Sequence, residues 1–389
     1  MNFKALDYRT NEPITVEVEG GYIKSISKCE QRLEHSYYIA PGLVDLQVNG
    51  FKGIDLNSLD LKVADVNKIC EDLLEEGITS FLPTIITNSD ESTTYLLKIV
   101  SRACNESFKT NESIGGIHLE GPFISLEDGP RGAHSKAFVK APNWELFTKW
   151  QNAANGKIRI ITLSPEWPES IEFIKNCVAS GIIVSIGHTA ASPKQIQDAI
   201  KAGATMSTHL GNASHAMLPR HNNYIFEQLA SDDLWASIIA DGFHLPDALL
   251  KIFLKTKPDK SILVSDTTSF AGLPTGNYTS HIGGEITLDA SGKLHMQGNP
   301  YMLAGSAQSL LWCVNQLINK NIASLKDAWH MASIKPTEIL FGTSNNLLQV
   351  GQKANLVIFE KTNNGLEVIK TIQSADIVYS NPNKNYLSG

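Results

Sequence analysis

The stretch IIVSIGHTAASPKQIQDAIKAGATMSTHL, residues 182–210, decides the fold. It opens on an apolar run, IIVSIGH (182–188). An amphipathic stretch follows, SPKQIQDAIKAG (192–203), which ends in Gly, a common helix stop. A second short apolar run, ATMSTHL (204–210), closes it. Two strands joined through a helix are parallel. Runs that are apolar throughout, rather than alternating, suit strands covered on both faces.

The same unit recurs outward in both directions. Further candidate strands are IAPGLVDLQVN (39–49), ITSFLPTII (78–86), IGGIHLEG (114–121), IRIITLSPE (158–166), ASIIADGFH (236–244) and SILVSD (261–266). Helical stretches such as LKVADVNKICEDLLEEG and SIEFIKNCVASG lie between them and also end in Gly. Eight such units over about 230 residues predict an α/β fold, a (β/α)8 TIM barrel. A doubly wound open sheet is the alternative, but no GxGxxG follows the first strand.

Both ends of the chain differ from the middle. VEVEGGYIKSIS turns at Gly20-Gly21, and KANLVIFE (353–360) and GLEVIKTI (365–372) flank Asn363-Asn364-Gly365. These are hairpin patterns, and lone hairpins are only marginally stable. The prediction is a small β-sandwich domain built from residues 1–40 and 346–389, around a barrel of 41–345. The 389 residues fit one large and one small domain, since single cores stop growing near ~250–300 residues.

Composition excludes several classes. Lys+Arg 33 against Asp+Glu 40 gives −7, so the chain has no general attraction to nucleic acid or an anionic membrane. No run approaches the ~18 apolar residues of a membrane span. Five scattered cysteines without a CxxC pair predict neither disulfides nor a thiolate zinc site. With no signal-peptide pattern in MNFKALDYRT, the expectation is a cytoplasmic protein.

In a barrel, chemistry sits at the C-terminal ends of the strands. Here those ends carry Asp45, Gln47 and Asn49; His118 and Glu120; His188; His209 and Asn212; Asp241 and His244; and Asp266. One such His is more often structural, but five apolar strands ending alike are not chance. Glu120, His188 and His209 offer the carboxylate and two imidazoles of a catalytic metal site with an open position. Asp266 is placed to take a proton from water and return it to a leaving group. His35, His281, His295 and His330 lie away from strand ends and are expected to be structural or at the surface.

These residues stand in the strings PGLVDLQVNG, HLEGPF followed by RGAH, IGHTAAS, THLGNA, ADGFH, LVSDTT and LAGSA. In that order they resemble the amidohydrolase superfamily and, within it, the family of N-acetylglucosamine-6-phosphate deacetylases. The resemblance covers nearly the whole chain. It implies hydrolysis of the N-acetyl amide of N-acetylglucosamine 6-phosphate to glucosamine 6-phosphate and acetate, in amino-sugar catabolism. An amidohydrolase of the same fold acting on another N-acyl amino sugar or amide is the alternative.

The resemblance also assigns roles. Glu120, His188 and His209 would bind one divalent metal per subunit, zinc first, with iron, manganese or cobalt accepted by the same ligands. Asp266 would be the acid/base, and His134 would polarise the amide carbonyl and contact substrate. Asn212, Ala213 and His244 would hold the sugar, Arg220 its phosphate, and Leu303, Ala304 and Gly305 would lie near the acetyl group. Many amidohydrolases carry HxH on strand 1 and a second metal. Gln47-Val48-Asn49 stands here, and amides are poor zinc ligands, so one metal is predicted, with Gln47 and Asn49 as substrate-binding residues at the barrel mouth or as structural hydrogen bonders there, two compatible readings. The loop SHAMLPRHNNY departs from the usual sequence, and its His215, Arg220 and His221 make it basic. Family members are commonly homodimers, which is the expectation here.

Overall fold

The computed structural model describes residues 1–33, 35–280, 284–342 and 347–384. Eight parallel strands form one sheet: β1 (Leu43–Val48), β2 (Ile78–Ile86), β3 (Ile117–Glu120), β4 (Ile158–Leu163), β5 (Ile183–Ile186), β6 (Met206–Ser207), β7 (Trp235–Ile239) and β8 (Ser261–Val264). Each pairs with the next in chain order. β8 returns to β1, where Asp266 N–H donates to the Gln47 carbonyl at 3.0 Å and Asn49 N–H to that of Thr267 at 2.8 Å. The sheet is thus closed, as the repeating unit predicts.

The deciding stretch folds as read. β5 leads into the helix Pro193–Lys201, which begins with a capping box. Gln195 N–H donates to Ser192 Oγ at 3.4 Å, and Gln195 Oε1 accepts from Ser192 N–H at 2.8 Å. Proline at the first helical position costs no hydrogen bond there. β1 is buried along its whole length, so both faces are covered.

The run 39–49 corrects the sequence reading. It is not one strand but two. Tyr37–Pro41 belongs to a seven-stranded sheet, between Asn2–Asp7 and Leu356–Thr362, and only 43–48 enters the barrel. Gly42 makes the switch. A Cβ there would stand 2.0 Å from Thr79 Oγ1, so no larger residue fits the crossing. The same sheet holds Pro13–Glu19 and Tyr22–Lys28 on one side, Gly365–Gln373 and Asp376–Ser380 on the other. Both ends of the chain therefore build one β-structure; the predicted boundary at 345/346 lies outside the described residues.

Trp329 fastens this sheet to the barrel. It is fully buried, its Nε1–H donates to the Pro41 carbonyl at 2.8 Å, and its ring stacks on Phe359 at 4.5 Å. Trp329→Ala removes a large buried ring and leaves that carbonyl unpaired. The expected cost is about 3–5 kcal/mol. A urea denaturation midpoint equal to that of the parent would show that Trp329 does not carry the junction.

A further element was not read from the sequence. After β8 the chain makes a four-stranded antiparallel sheet, Gly276–Ser280, Gly284–Leu288, Leu294–Met296 and Asn299–Leu303. It has its own small core of Ile286, Leu288, Leu294 and Ala307. The five cysteines are free and buried. Of the four histidines expected to be structural or at the surface, His281 lies outside the described residues. His35 packs on Tyr37, His295 bonds the Met296 carbonyl and His330 meets the edge of Tyr8. No described helix is long and apolar enough to cross a membrane.

Candidate active site

The chemical side chains gather at the C-terminal mouth, mostly just past the last paired residue of each strand. Gln47 and Glu120 lie within β1 and β3. His188, His209 and Asp266 each follow their strand by two residues, with φ of +49°, +29° and +50°. Non-glycine residues rarely adopt that conformation. Its recurrence at three strand ends is backbone strain concentrated at a site. The turn out of the sheet aims these side chains over the barrel mouth.

Glu120 Oε1 lies 3.1 Å from His188 Nε2 and 3.1 Å from His209 Nε2, and the two nitrogens are 3.1 Å apart. All three residues are buried. Burial pushes the Glu120 carboxyl up, but the His188 and His209 hydrogen bonds outweigh it and hold the group well below the usual carboxylate range. Burial pulls His209 down, yet its bond to Glu120 raises it overall. Two ring nitrogens facing each other at this distance need a shared cation or a proton between them. Tetrahedral ligands about 2.0–2.1 Å from zinc stand roughly 3.3 Å apart, so this triangle fits a single divalent ion.

Glu120, His134 and His188 also offer ligand atoms within 4.8 Å of one another. That trio is looser than the 3.1 Å triangle, and His134 Nδ1 bonds the Thr87 hydroxyl at 2.7 Å, which leaves Nε2 facing the site. The tighter triangle is therefore the better cradle. Burial and neighbouring His188 hold His134 down at about 3, so it is a neutral imidazole at pH 7.

Outer contacts fix the inner ones, as metal ligands generally require. His188 Nδ1 bonds the Pro130 carbonyl at 2.9 Å, and the His188 carbonyl accepts from Ser125 N–H at 2.9 Å. Glu166, beyond β4, ties three segments together. It accepts from Ser125 Oγ at 2.9 Å, Ser164 Oγ at 2.7 Å and Ala190 N–H at 2.8 Å. The sequence reading missed both Thr87 and Glu166. Thr87 directly follows β2 and Glu166 lies three residues past β4, so strand-end position was the available signal.

The strand-1 amides act as donors here. Gln47 Nε2 donates to Glu120 Oε1 at 3.0 Å, and Asn49 Nδ2 to Asp266 Oδ1 at 2.8 Å. Burial, then the Glu120 charge, pushes Asp266 up to about 6, against the opposing pull of His209, His244 and Asn49. Asn212 folds back on the His209 carbonyl at 3.1 Å, and Ala213 follows with φ +44°. His244 bonds Asp241 at 2.7 Å. Leu303, Ala304 and Gly305 come beside the β8 exit, where Thr268 N–H donates to the Ser306 carbonyl at 2.9 Å. His118 lies beneath the cluster, bonded to Thr162 Oγ1 at 2.7 Å and held down to about 4 by burial. It is a satisfied interior histidine.

The atypical loop is less basic than its composition suggests. His215 is tied to Glu127 Oε2 at 2.9 Å and to the Tyr224 hydroxyl at 3.0 Å. Arg220 and His221 are exposed on the same loop.

A closed parallel barrel whose mouth gathers a carboxylate, imidazoles and a second, separately held carboxylate defines a barrel hydrolase with a cradle for a cation. Comparison with known proteins agrees. The model of the amidohydrolase family matches residues 38–388. The chain is 32% identical over 354 residues to the N-acetylglucosamine-6-phosphate deacetylase of Homo sapiens, covering 88% of this chain and 83% of that protein. It is 33% identical over 346 residues to that of Bacillus subtilis (strain 168), covering 88% and 84%. The crystal structure of N-acetylglucosamine-6-phosphate deacetylase from Pasteurella multocida superposes with a TM-score of 0.85 at 28% identity, covering 98% of this chain and 100% of that one. The chain belongs to the amidohydrolase family and, within it, to the N-acetylglucosamine-6-phosphate deacetylases.

Proposed function

We propose that this enzyme hydrolyses the N-acetyl amide of N-acetylglucosamine 6-phosphate, releasing glucosamine 6-phosphate and acetate. The observation that carries the reading is the 3.1 Å triangle of Glu120, His188 and His209, with Asp266 beside it on its own hydrogen bond from Asn49. Glu120, His188 and His209 would hold one divalent ion. Zinc suits two nitrogens and an oxygen at this spacing, and the same donors accept iron, manganese or cobalt. When bound, the ion supplies Lewis acidity, lowering the pKa of coordinated water and polarising the substrate carbonyl.

The chain's own groups do the rest. Asp266 accepts the proton of the attacking water and passes it to the departing amine. His134, neutral and steadied at Nδ1 by Thr87, donates from Nε2 to the carbonyl oxygen as charge builds there. Asn212, Ala213 and His244 contact the sugar, Arg220 the phosphate, and Leu303, Ala304 and Gly305 the acetyl end. Gln47 and Asn49 orient the two carboxylates. We propose that the enzyme is a cytoplasmic homodimer; five free, buried cysteines suit a reducing compartment, and the homodimer rests on the resemblance alone.

The test is acetate release from N-acetylglucosamine with and without the 6-phosphate, with metal content measured on the same sample. The expected result is a clear preference for the phosphorylated sugar that Arg220→Ala removes. Equal rates on both sugars would take Arg220 out of its role and favour the alternative substrate class.

A further inference from the structure

Asp241 and His244, three residues apart just past β7, form a pair that the scheme above uses only in part. The backbone N–H groups of Phe243 and His244 both donate to Asp241 Oδ1, each at 2.9 Å. Oδ2 is left facing His244 Nδ1 at 2.7 Å. The Asp241 carbonyl accepts from Trp312 Nε1–H at 3.0 Å, which pins the backbone of the turn. Asp241 is buried. Burial pushes its carboxyl up, but the bond from His244 and the two backbone donors bring it below the ordinary value. It is therefore ionised at neutral pH.

An ionised carboxylate has no proton to give, so the hydrogen between Oδ2 and Nδ1 belongs to the imidazole. Taken as the neutral ring, which carries a single proton, His244 has that proton on Nδ1 and a bare Nε2. Nε2 makes no hydrogen bond to the described residues. We infer that Asp241 is a positioning residue that locks His244 in the Nδ1–H form, so that Nε2 meets a hydroxyl of the sugar as an acceptor. The inference rests on the substrate-contacting reading of His244.

Asp241→Asn separates tautomer from position. The amide oxygen can keep both backbone donors, which places the amide NH2 where Oδ2 stood. It then donates to Nδ1, the ring proton moves to Nε2, and the acceptor becomes a donor with the ring in place. This is the tautomer logic of the catalytic triad aspartate. The experiment uses metal-loaded protein with 15N-labelled histidine. Long-range 1H–15N spectra should show Nδ1–H for His244 in the parent and Nε2–H in D241N. kcat/KM should fall about 10–100-fold, the range for lost orienting partners, mainly through KM. The factor should be equal on N-acetylglucosamine with and without the 6-phosphate, and D241N should cost little in a His244→Ala background.

One tautomer in both proteins, or a parent His244 ring protonated at both nitrogens, would overturn the inference. So would an undiminished D241N loss in the His244→Ala background, which would mark a purely structural role. A loss confined to the phosphorylated sugar would place Nε2 on the phosphate instead of a hydroxyl and equally refute it. If the parent released no acetate from either sugar, the substrate assignment would fail by itself, while the tautomer spectra would still judge Asp241.

Discussion

Asp266→Asn is expected to keep its metal and lose about 10²–10⁴ in kcat, the usual share of a positioned acid/base. The substitution is nearly isosteric. Asn49 Nδ2 donates to Asp266 Oδ1 at 2.8 Å, and an amide oxygen accepts that bond equally well. What disappears is the ability to take a proton. The pH profile gives a second handle. A base must be ionised, so kcat/KM of the parent falls as pH drops through the Asp266 pKa. Burial and the Glu120 charge raise that group to about 6. A bound cation offsets the Glu120 charge, so the acid limb of the holoenzyme should lie at or below about 6. Turnover by the variant within tenfold of the parent would remove Asp266 from the role.

Removal of the metal should abolish acetate release altogether, and one equivalent per chain should restore it. The reason is the 3.1 Å triangle. Without a cation, a carboxylate and two imidazoles compete for shared protons, and the site has nothing to polarise the amide. His209→Ala opens the triangle and should lose metal and activity together, with the fold retained. Two tightly held ions per chain would contradict this account. They would require Gln47, Asn49 or His134 to serve as ligands, whereas the two amides donate to carboxylates.

Sequence patterning exposed Glu120, His188, His209 and Asp266 because each ends an apolar run, and the mouth of a barrel is where such runs end. It could not expose the left-handed backbone at His188, His209 and Asp266. Nothing in a residue's identity announces that conformation when the residue is not glycine. Thr87 and Glu166 escaped for another reason. Their contacts join segments 47 residues apart, to His134, and 41 residues apart, to Ser125, and a single sequence carries no trace of such pairings. Asp241 was visible as a strand-end acid, yet its service to His244 depends on which oxygen the backbone occupies. The run 39–49 misled because Gly42 passes unnoticed inside an apolar stretch, although it is where the chain changes sheets.

That change of sheets bears on how the protein is made. Tyr37–Pro41 sits between an early strand and a late one, with Val357 opposite Ala40 and Leu356 opposite Pro41. On a ribosome adding about 5–20 residues per second, the late partner follows Tyr37–Pro41 itself by roughly 15–60 s. Throughout that interval one edge of Tyr37–Pro41 has no native strand beside it, and an open edge is a template for foreign pairing. The barrel core can begin to assemble while the sheet around its first strand is still incomplete. Synthesis thus leaves a timed vulnerability at the start of the chain, which the closing strand ends.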